Sequence, residues 1–203
     1  DNKQEQDALY QDLLIPVTSF FRDPQVFDYL CETVFPLILK NKSAGEPIRI
    51  WVAGCSTGQE AYSMAICLTE FLGNTTERVQ LFASDLSEPA IAKARIGTYS
   101  KSEVESLTAE RLQKFFLKKN GNYQINKSVR DMCVFATHNF LKDPPFSKMD
   151  LISCRNVMIY LEPYLQKKAF TTFHYSLNPK GYLLLGKLET VGNVPDLFSI
   201  AAK

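Results

Sequence analysis

The stretch that decides the fold reads Ile48-Arg49-Ile50-Trp51-Val52-Ala53, then Gly54-Cys55-Ser56-Thr57-Gly58, then Gln59-Glu60 and on to Leu72 before Gly73. A near-continuous apolar run, a turn bounded by glycines and a long apolar-rich segment predict a strand, a tight turn and a helix. Glycine lets the backbone approach a ligand closely, and the start of the following helix offers unpaired N–H groups. The turn is not a phosphate-binding P-loop, because its second glycine comes one residue early and no Lys follows. It is not the Gly-x-Gly-x-x-Gly dinucleotide turn either, because Ser56 occupies the middle glycine position.

Working outward, Val79–Ser84, Met132–Thr137, Asp150–Cys154 and Tyr182–Gly186 also read as strands. Helices are predicted over Ser87–Arg95, stopped by Gly97, and over Pro163–Leu177, stopped by Asn178-Pro179-Lys180-Gly181. Ser102 and Glu105 form a capping-box pattern before a helical region reaching Phe116. Asn120-Gly121 suggests a hairpin between Phe116–Lys118 and Tyr123–Ile125. Upstream, Ala8, Leu9, Leu13 and Leu14 recur at helical spacing within Gln4–Ile15. Asp23-Pro24 looks like an N-cap followed by Pro at the first helical position. That helix is expected to reach about Lys40 with Phe27, Leu30, Cys31, Val34 and Leu37 on one face. Apolar strands alternating with helices define an α/β fold, a doubly wound, mostly parallel sheet covered on both faces.

Composition narrows the class. The chain has 203 residues, 45% hydrophobic and 22% charged, with a net charge of +1. This suits a soluble globular domain and gives no support to nucleic-acid binding through bulk charge. No apolar run approaches the roughly 20 residues of a membrane span, and no signal peptide opens the chain. Cys31, Cys55, Cys67, Cys133 and Cys154 form no CxxC pair, and with His138 and His174 far apart no metal site is expected. Scattered cysteines on apolar segments read as buried free thiols in a reducing compartment, so a cytoplasmic location is expected.

Ligands of such sheets sit at the carboxyl ends of the strands. After the first strand comes the glycine turn, left as either the looser turn of adenosylmethionine-dependent methyltransferases or a turn with no ligand. After the second comes Asp85, placed to accept both hydroxyls of a ribose or to cap the next helix, although Ser87 can serve as that cap. After the third come His138-Asn139-Phe140, and after the fourth Arg155-Asn156. Either Asn could read an adenine edge or simply cap a loop. Asp143-Pro144-Pro145-Phe146 is similar to the motif of base amino-methyltransferases, but it precedes the fourth strand, so it reads as a rigid loop.

In combination, Thr18-x-Phe20-Phe21-Arg22, Trp51 to Ser63, Ala83-Ser84-Asp85 and Cys154-Arg155-Asn156-Val157-Met158-Ile159-Tyr160 resemble the chemotaxis receptor glutamate methyltransferases of the CheR type. The resemblance covers about Leu14 to Phe198. It is nearest to the methyltransferase part of proteins that fuse a CheB-type methylesterase to such a domain. It implies S-adenosyl-L-methionine as methyl donor and S-adenosyl-L-homocysteine as product. It implies cofactor-binding roles for Thr18, Arg22, Gly54, Glu60, Asp85, Asn139, Phe140, Arg155 and Asn156, and catalytic roles for Arg22 and Tyr160. Arg22 would orient the incoming carboxylate, and Tyr160 would steady the methionine end. Pro16 departs from an Asn common in the family, and Gln59 replaces the first of two usual acids.

The implied division is a reduced N-terminal region over 1–47, with helices and a cofactor-contacting loop, and a methyltransferase domain over 48–203 with a small insert near 99–131. The sheet is expected to lack its last edge strand. The implied partner is a chemoreceptor-like protein with an acidic helix, with a fused or associated methylesterase domain, no nucleic acid, no membrane insertion and a monomeric state. The competing reading is a non-catalytic module that binds adenosylmethionine or a partner. Lys114, Lys118, Lys119, Lys127 and Arg130 read as a solvated face or a contact for an acidic helix. Phe20 and Phe21 are expected to pack rather than to read a ligand.

Overall fold

The computed structural model describes residues 18–43, 45–73, 78–192, 194 and 196–201. The helical spacing within Gln4–Ile15 and the Pro16 departure lie outside the described residues.

The chain enters through α1 (Pro24–Tyr29), a π-helical turn (Leu30–Val34) and α2 (Phe35–Lys40). Then β1 (Ile48–Ala53), α3 (Gln59–Leu72), β2 (Val79–Asp85) and α4 (Glu88–Ile96) alternate as expected. An insert follows, with β3 (Thr98–Tyr99), α5 (Ala109–Phe115), β4 (Phe116–Lys119), β5 (Asn122–Ile125) and α6 (Lys127–Arg130). The main sheet resumes with β6 (Cys133–Thr137), β7 (Met149–Cys154), α7 (Pro163–Ser176) and β8 (Leu177–Leu185).

The main sheet runs β6-β2-β1-β7-β8 with every neighbour pair parallel. The chain leaves β1 in one direction for β2 and β6, then crosses back to β7 and β8. The switch point lies between β1 and β7, where open α/β sheets bind ligands at their carboxyl ends. Side chains of β1 alternate between two cores, as strand geometry requires. Ile48, Ile50 and Val52 join one cluster with α3, with Ile91 and Ala94 of α4, and with Phe27, Leu30, Val34, Phe35 and Ile38. Trp51 and Ala53 join the other, built on Phe170 and Phe173 of α7. Among the described residues no strand follows β8, which forms the sheet edge.

Four local expectations are corrected. The first helix carries a π-turn, which inserts an extra residue into one turn and shifts the register behind it. Phe35 and Ile38 therefore face the core, and Leu37 is 40% exposed instead. Asp23 sits at the N-cap with φ 59 but makes no side-chain cap. The capping box forms two residues early: the Ser100 hydroxyl accepts from Glu103 N at 3.4 Å, and Glu103 Oε2 accepts from Ser100 N at 2.9 Å. A 3-10 turn occupies Ser102–Val104, and α5 is capped by Thr108, whose side chain accepts from Arg111 N at 3.2 Å. Finally, Asn178–Gly181 do not close α7. They sit inside β8 as an irregularity, where the register jumps from Met149 opposite Leu177 to Leu151 opposite Tyr182.

The insert forms an antiparallel sheet of order β3-β5-β4. Its β4–β5 hairpin turns at Asn120-Gly121, both with positive φ, as that dipeptide predicts.

Candidate functional site

Three segments meet at the carboxyl end of the main sheet. The first is the glycine turn after β1. Gly54 has φ +75, and a Cβ there would lie 2.5 Å from Val157 Cγ2, so only glycine fits. The N–H groups of Gly54 and Cys55 donate to Ser84 O at 2.7 and 2.9 Å. Asp85 ends β2 and ties the turn down, its Oδ2 accepting from Ser56 N at 2.8 Å and its Oδ1 from Ser87 N at 2.9 Å. The Ser87 side chain caps α4 by accepting from Ala90 N, as expected. Each Asp85 oxygen keeps a second lone pair for a hydroxyl donor.

The second segment is Thr18–Asp23, which is pinned from three sides. Ser106 Oγ donates to Phe20 O at 2.9 Å, Phe21 N donates to Ser63 Oγ at 2.8 Å, and Arg155 Nη2 donates to Arg22 O at 2.9 Å. Phe20 and Phe21 are 1% and 5% exposed, so they pack as expected. The Arg111 guanidinium lies 3.8 Å from the Phe21 ring centre while paired with Glu70. Phe21 and Asp23 both hold left-handed backbone, strained for side-chain-bearing residues. Thr18 is half-buried beside a polar cleft also lined by Ser19, Ser102, Glu105 and Ser106.

The third segment follows β7 and begins with the hub. The Arg155 side chain is 1% exposed. Its Nη1 donates to Glu60 Oε2 at 3.0 Å, and its Nη2 also donates to Asp23 Oδ2 at 2.6 Å. Ser153 Oγ completes the set by donating to Glu60 Oε1 at 2.6 Å. A buried guanidinium is tolerated only when paired in this way. Thus Arg155, expected to close the methionine side directly, turns inward and binds the other two segments together. Asn156 follows in left-handed backbone, φ 59.

The remaining expected residues divide. Asn139 uses its side-chain oxygen to accept from Leu141 N at 2.9 Å, which is the loop-capping role. Phe140, 9% exposed, packs on Phe173 in the second core. Tyr160 ends a 3-10 turn and is 59% exposed. The Asp143–Phe146 loop is braced as expected: His138 Nε2 bonds Pro144 O at 3.0 Å, and the Phe146 ring stacks on Phe82 at 5.0 Å. All five cysteines are free, and burial pushes the Cys55 and Cys154 thiols up, so neither is an activated nucleophile.

Sequence reasoning missed Asp23, Ser153 and Glu189. Asp23 carried a signal, a carboxylate next to Arg22, but the Pro after it suggested a cap.

The residues fit an adenosyl ligand on a feature of this structure. Ser56 Oγ, inside the glycine turn, is a buried hydroxyl with no hydrogen-bond partner. Buried hydroxyls are otherwise paired, so one left open beside Asp85 is suited to a ligand.

Sheet order, glycine turn and acidic strand end together define a Rossmann-like ligand-binding domain. Residues 16–203 match the family described as CheR methyltransferase, SAM binding domain, and the chain belongs to that family. S-adenosylmethionine is therefore its cofactor. Over 201 residues the chain is 38% identical to an uncharacterized 104.1 kDa protein of Rhodobacter capsulatus, covering 98% of this chain and 21% of that protein. It is 35% identical over 190 residues to chemotaxis protein methyltransferase 1 of Pseudomonas aeruginosa, covering 90% of this chain and 69% of the relative. It is 33% identical over 208 residues to a chemotaxis protein methyltransferase of Salmonella typhimurium, covering 98% of this chain and 69% of the relative. The chain thus spans about a fifth of the first relative's length. Among the described residues no helix is long and apolar enough to cross a membrane.

Proposed function

We propose that this domain transfers a methyl group to a glutamate side-chain carboxylate of a chemoreceptor-like protein, giving a methyl ester and S-adenosylhomocysteine. The observation that carries the reading is the Arg155 hub, which fixes the backbone of Arg22 over the carboxyl end of the sheet. The relatives named chemotaxis protein methyltransferase support the acceptor class.

The bound donor supplies an electrophilic methyl group on a sulfonium. Asp85 and Ser56 would hold the adenosine portion, with Gly54 letting Val157 pack against the turn. Glu60 would act from beneath, through Arg155. A glutamate acceptor, with a reference pKa of about 4.3, is already ionised at neutral pH, so the site needs no general base. What the protein must provide is orientation, worth up to roughly 7–11 kcal/mol in well-aligned cases. Arg22 would orient the acceptor carboxylate, with Tyr160 at the open rim.

The test is methyl transfer from labelled S-adenosylmethionine to an acidic helical receptor fragment. Label released by mild alkali is expected, since carboxyl esters hydrolyse there. Arg22→Ala should retain S-adenosylhomocysteine within a few-fold and lose turnover. Turnover surviving in that variant would remove Arg22 from the chemistry, and alkali-stable label would exclude the ester.

A further inference from the structure

We propose that Glu189 is a positioning residue of this site, a carboxylate clamp that sets the shape of the turn carrying Asn156. The inference rests on the reading given under Proposed function. Glu189 lies beyond β8, 33 residues after Asn156, yet three backbone N–H groups converge on it. Its Oε2 accepts from Asn156 N at 2.9 Å and from Gly186 N at 2.6 Å, and its Oε1 accepts from Ile159 N at 3.3 Å. Glu189 N closes the loop by donating to Gly186 O at 2.9 Å. Hydrogen bonds to an ionised acceptor are the stronger kind.

The surroundings are built for this carboxylate. A Cβ on Gly186 would lie 2.6 Å from Glu189 Oε2 and 2.9 Å from Asn156 N, so glycine is required for the three groups to meet. Asn156 holds φ 59, a conformation that side-chain-bearing residues adopt only when their surroundings impose it. The neighbour Leu188 is 85% exposed, so apolar burial next to Glu189 does not place its side chain.

The clamp and the Arg155 hub grip one turn from two sides. Glu60 and Asp23 hold the Arg155 side chain, while Glu189 holds the backbone at 156 and 159. Residues 155–160 are thereby pre-shaped before any ligand arrives, and pre-shaping lowers the cost of binding.

The experiment compares wild type with Glu189→Gln and Glu189→Asp. It measures S-adenosylhomocysteine affinity by calorimetry, thermal unfolding, and amide hydrogen exchange at Asn156, Ile159 and Gly186. Gln offers one accepting oxygen, and its amide nitrogen must face an N–H. Glu189→Gln should bind at least tenfold more weakly, unfold within about 2 °C of wild type, and exchange faster at Asn156 and Ile159. Glu189→Asp, which keeps the charge but shortens the reach, should lie between. Wild-type affinity and exchange in Glu189→Gln would overturn this inference alone. A variant whose unfolding temperature falls along with its affinity would overturn it too, since the carboxylate would then hold the fold rather than the site. Wild-type protein that binds no S-adenosylhomocysteine would overturn the functional reading and this inference together.

Discussion

The two ends of the main sheet each bury an ionic cluster, and they are wired oppositely. At the amino end the hub is a carboxylate. Asp150, between β1 and β8, accepts from Arg49 N at 2.8 Å and from Asn178 Nδ2 at 2.7 Å, and pairs with Lys42 Nζ at 2.8 Å. Arg49 lies on β1 and Asn178 on β8, so it fastens β1, β7 and β8 to one another, and Lys42 adds the loop after α2. At the carboxyl end the hub is a cation, Arg155, and its partners are a helix residue and a loop. One cluster closes the fold, and the other aims a loop at a ligand. Burial and pairing look alike at both ends, so the role is told by what the partners belong to.

This contrast predicts separable losses. The largest effect is expected from Arg155→Met, which strips Glu60 and Asp23 of their cation. Breaking a buried ionic cluster costs about 4 kcal/mol, and S-adenosylhomocysteine affinity should vanish with it. Chemical denaturation and calorimetry measure both. Asp150→Asn should cost about 2 kcal/mol of stability through its lost ion pair while leaving that affinity within threefold. A tenfold loss of affinity there would end the division between the two clusters. Gly54→Ala should follow, at about 2 kcal/mol for left-handed backbone in a side-chain-bearing residue, with binding at least tenfold weaker as Val157 is displaced. The smallest change in stability is expected for Asp23→Ser, below about 1 kcal/mol because the Asp23 carboxylate is 40% exposed. Turnover should nevertheless fall by at least tenfold. Serine cannot pair with Arg155, so a variant with wild-type turnover would mean that the ion pair at position 23 does not shape the site.

Much of the fold was legible because its signals are local. Apolar runs marked all five main strands, Gly54 and Gly58 marked the turn, and the place of Asp85 after β2 followed from counting. Asn120-Gly121 located its hairpin. What stayed hidden was settled by distant partners. Asp23 and Arg155 are 132 residues apart, and no window of sequence contains both. Ser100 and Ser102 each precede a Glu by three residues, so two capping boxes were equally well written. The first forms because Glu103 also pairs with Lys93 across the insert. Glu189 has no pattern around it at all, since the three N–H groups that define its role belong to the backbone. For the site residues, sequence located the neighbourhood and could not tell a side chain that faces the ligand from one that faces its neighbours. Arg155 pairs with Glu60 and Asp23, and Phe140 packs on Phe173, contacts that no local pattern announces.

The π-turn at Leu30–Val34 has a consequence for how this protein could change. It works as a phase shifter between the two halves of one helix: α2 is rotated to put Phe35 and Ile38 into the core, while α1 is rotated to bring Asp23 to Arg155. Removing any single residue from that turn would restore an ordinary α-helix and twist one half against the other by about 100°. Both halves are anchored, Phe27 and Leu30 on one side of the shift and Phe35 and Ile38 on the other, so the rotation must pull one set out of the core. A one-residue deletion far from the ligand would then cost either core packing or the Asp23–Arg155 pair, with every residue of the site still in the chain.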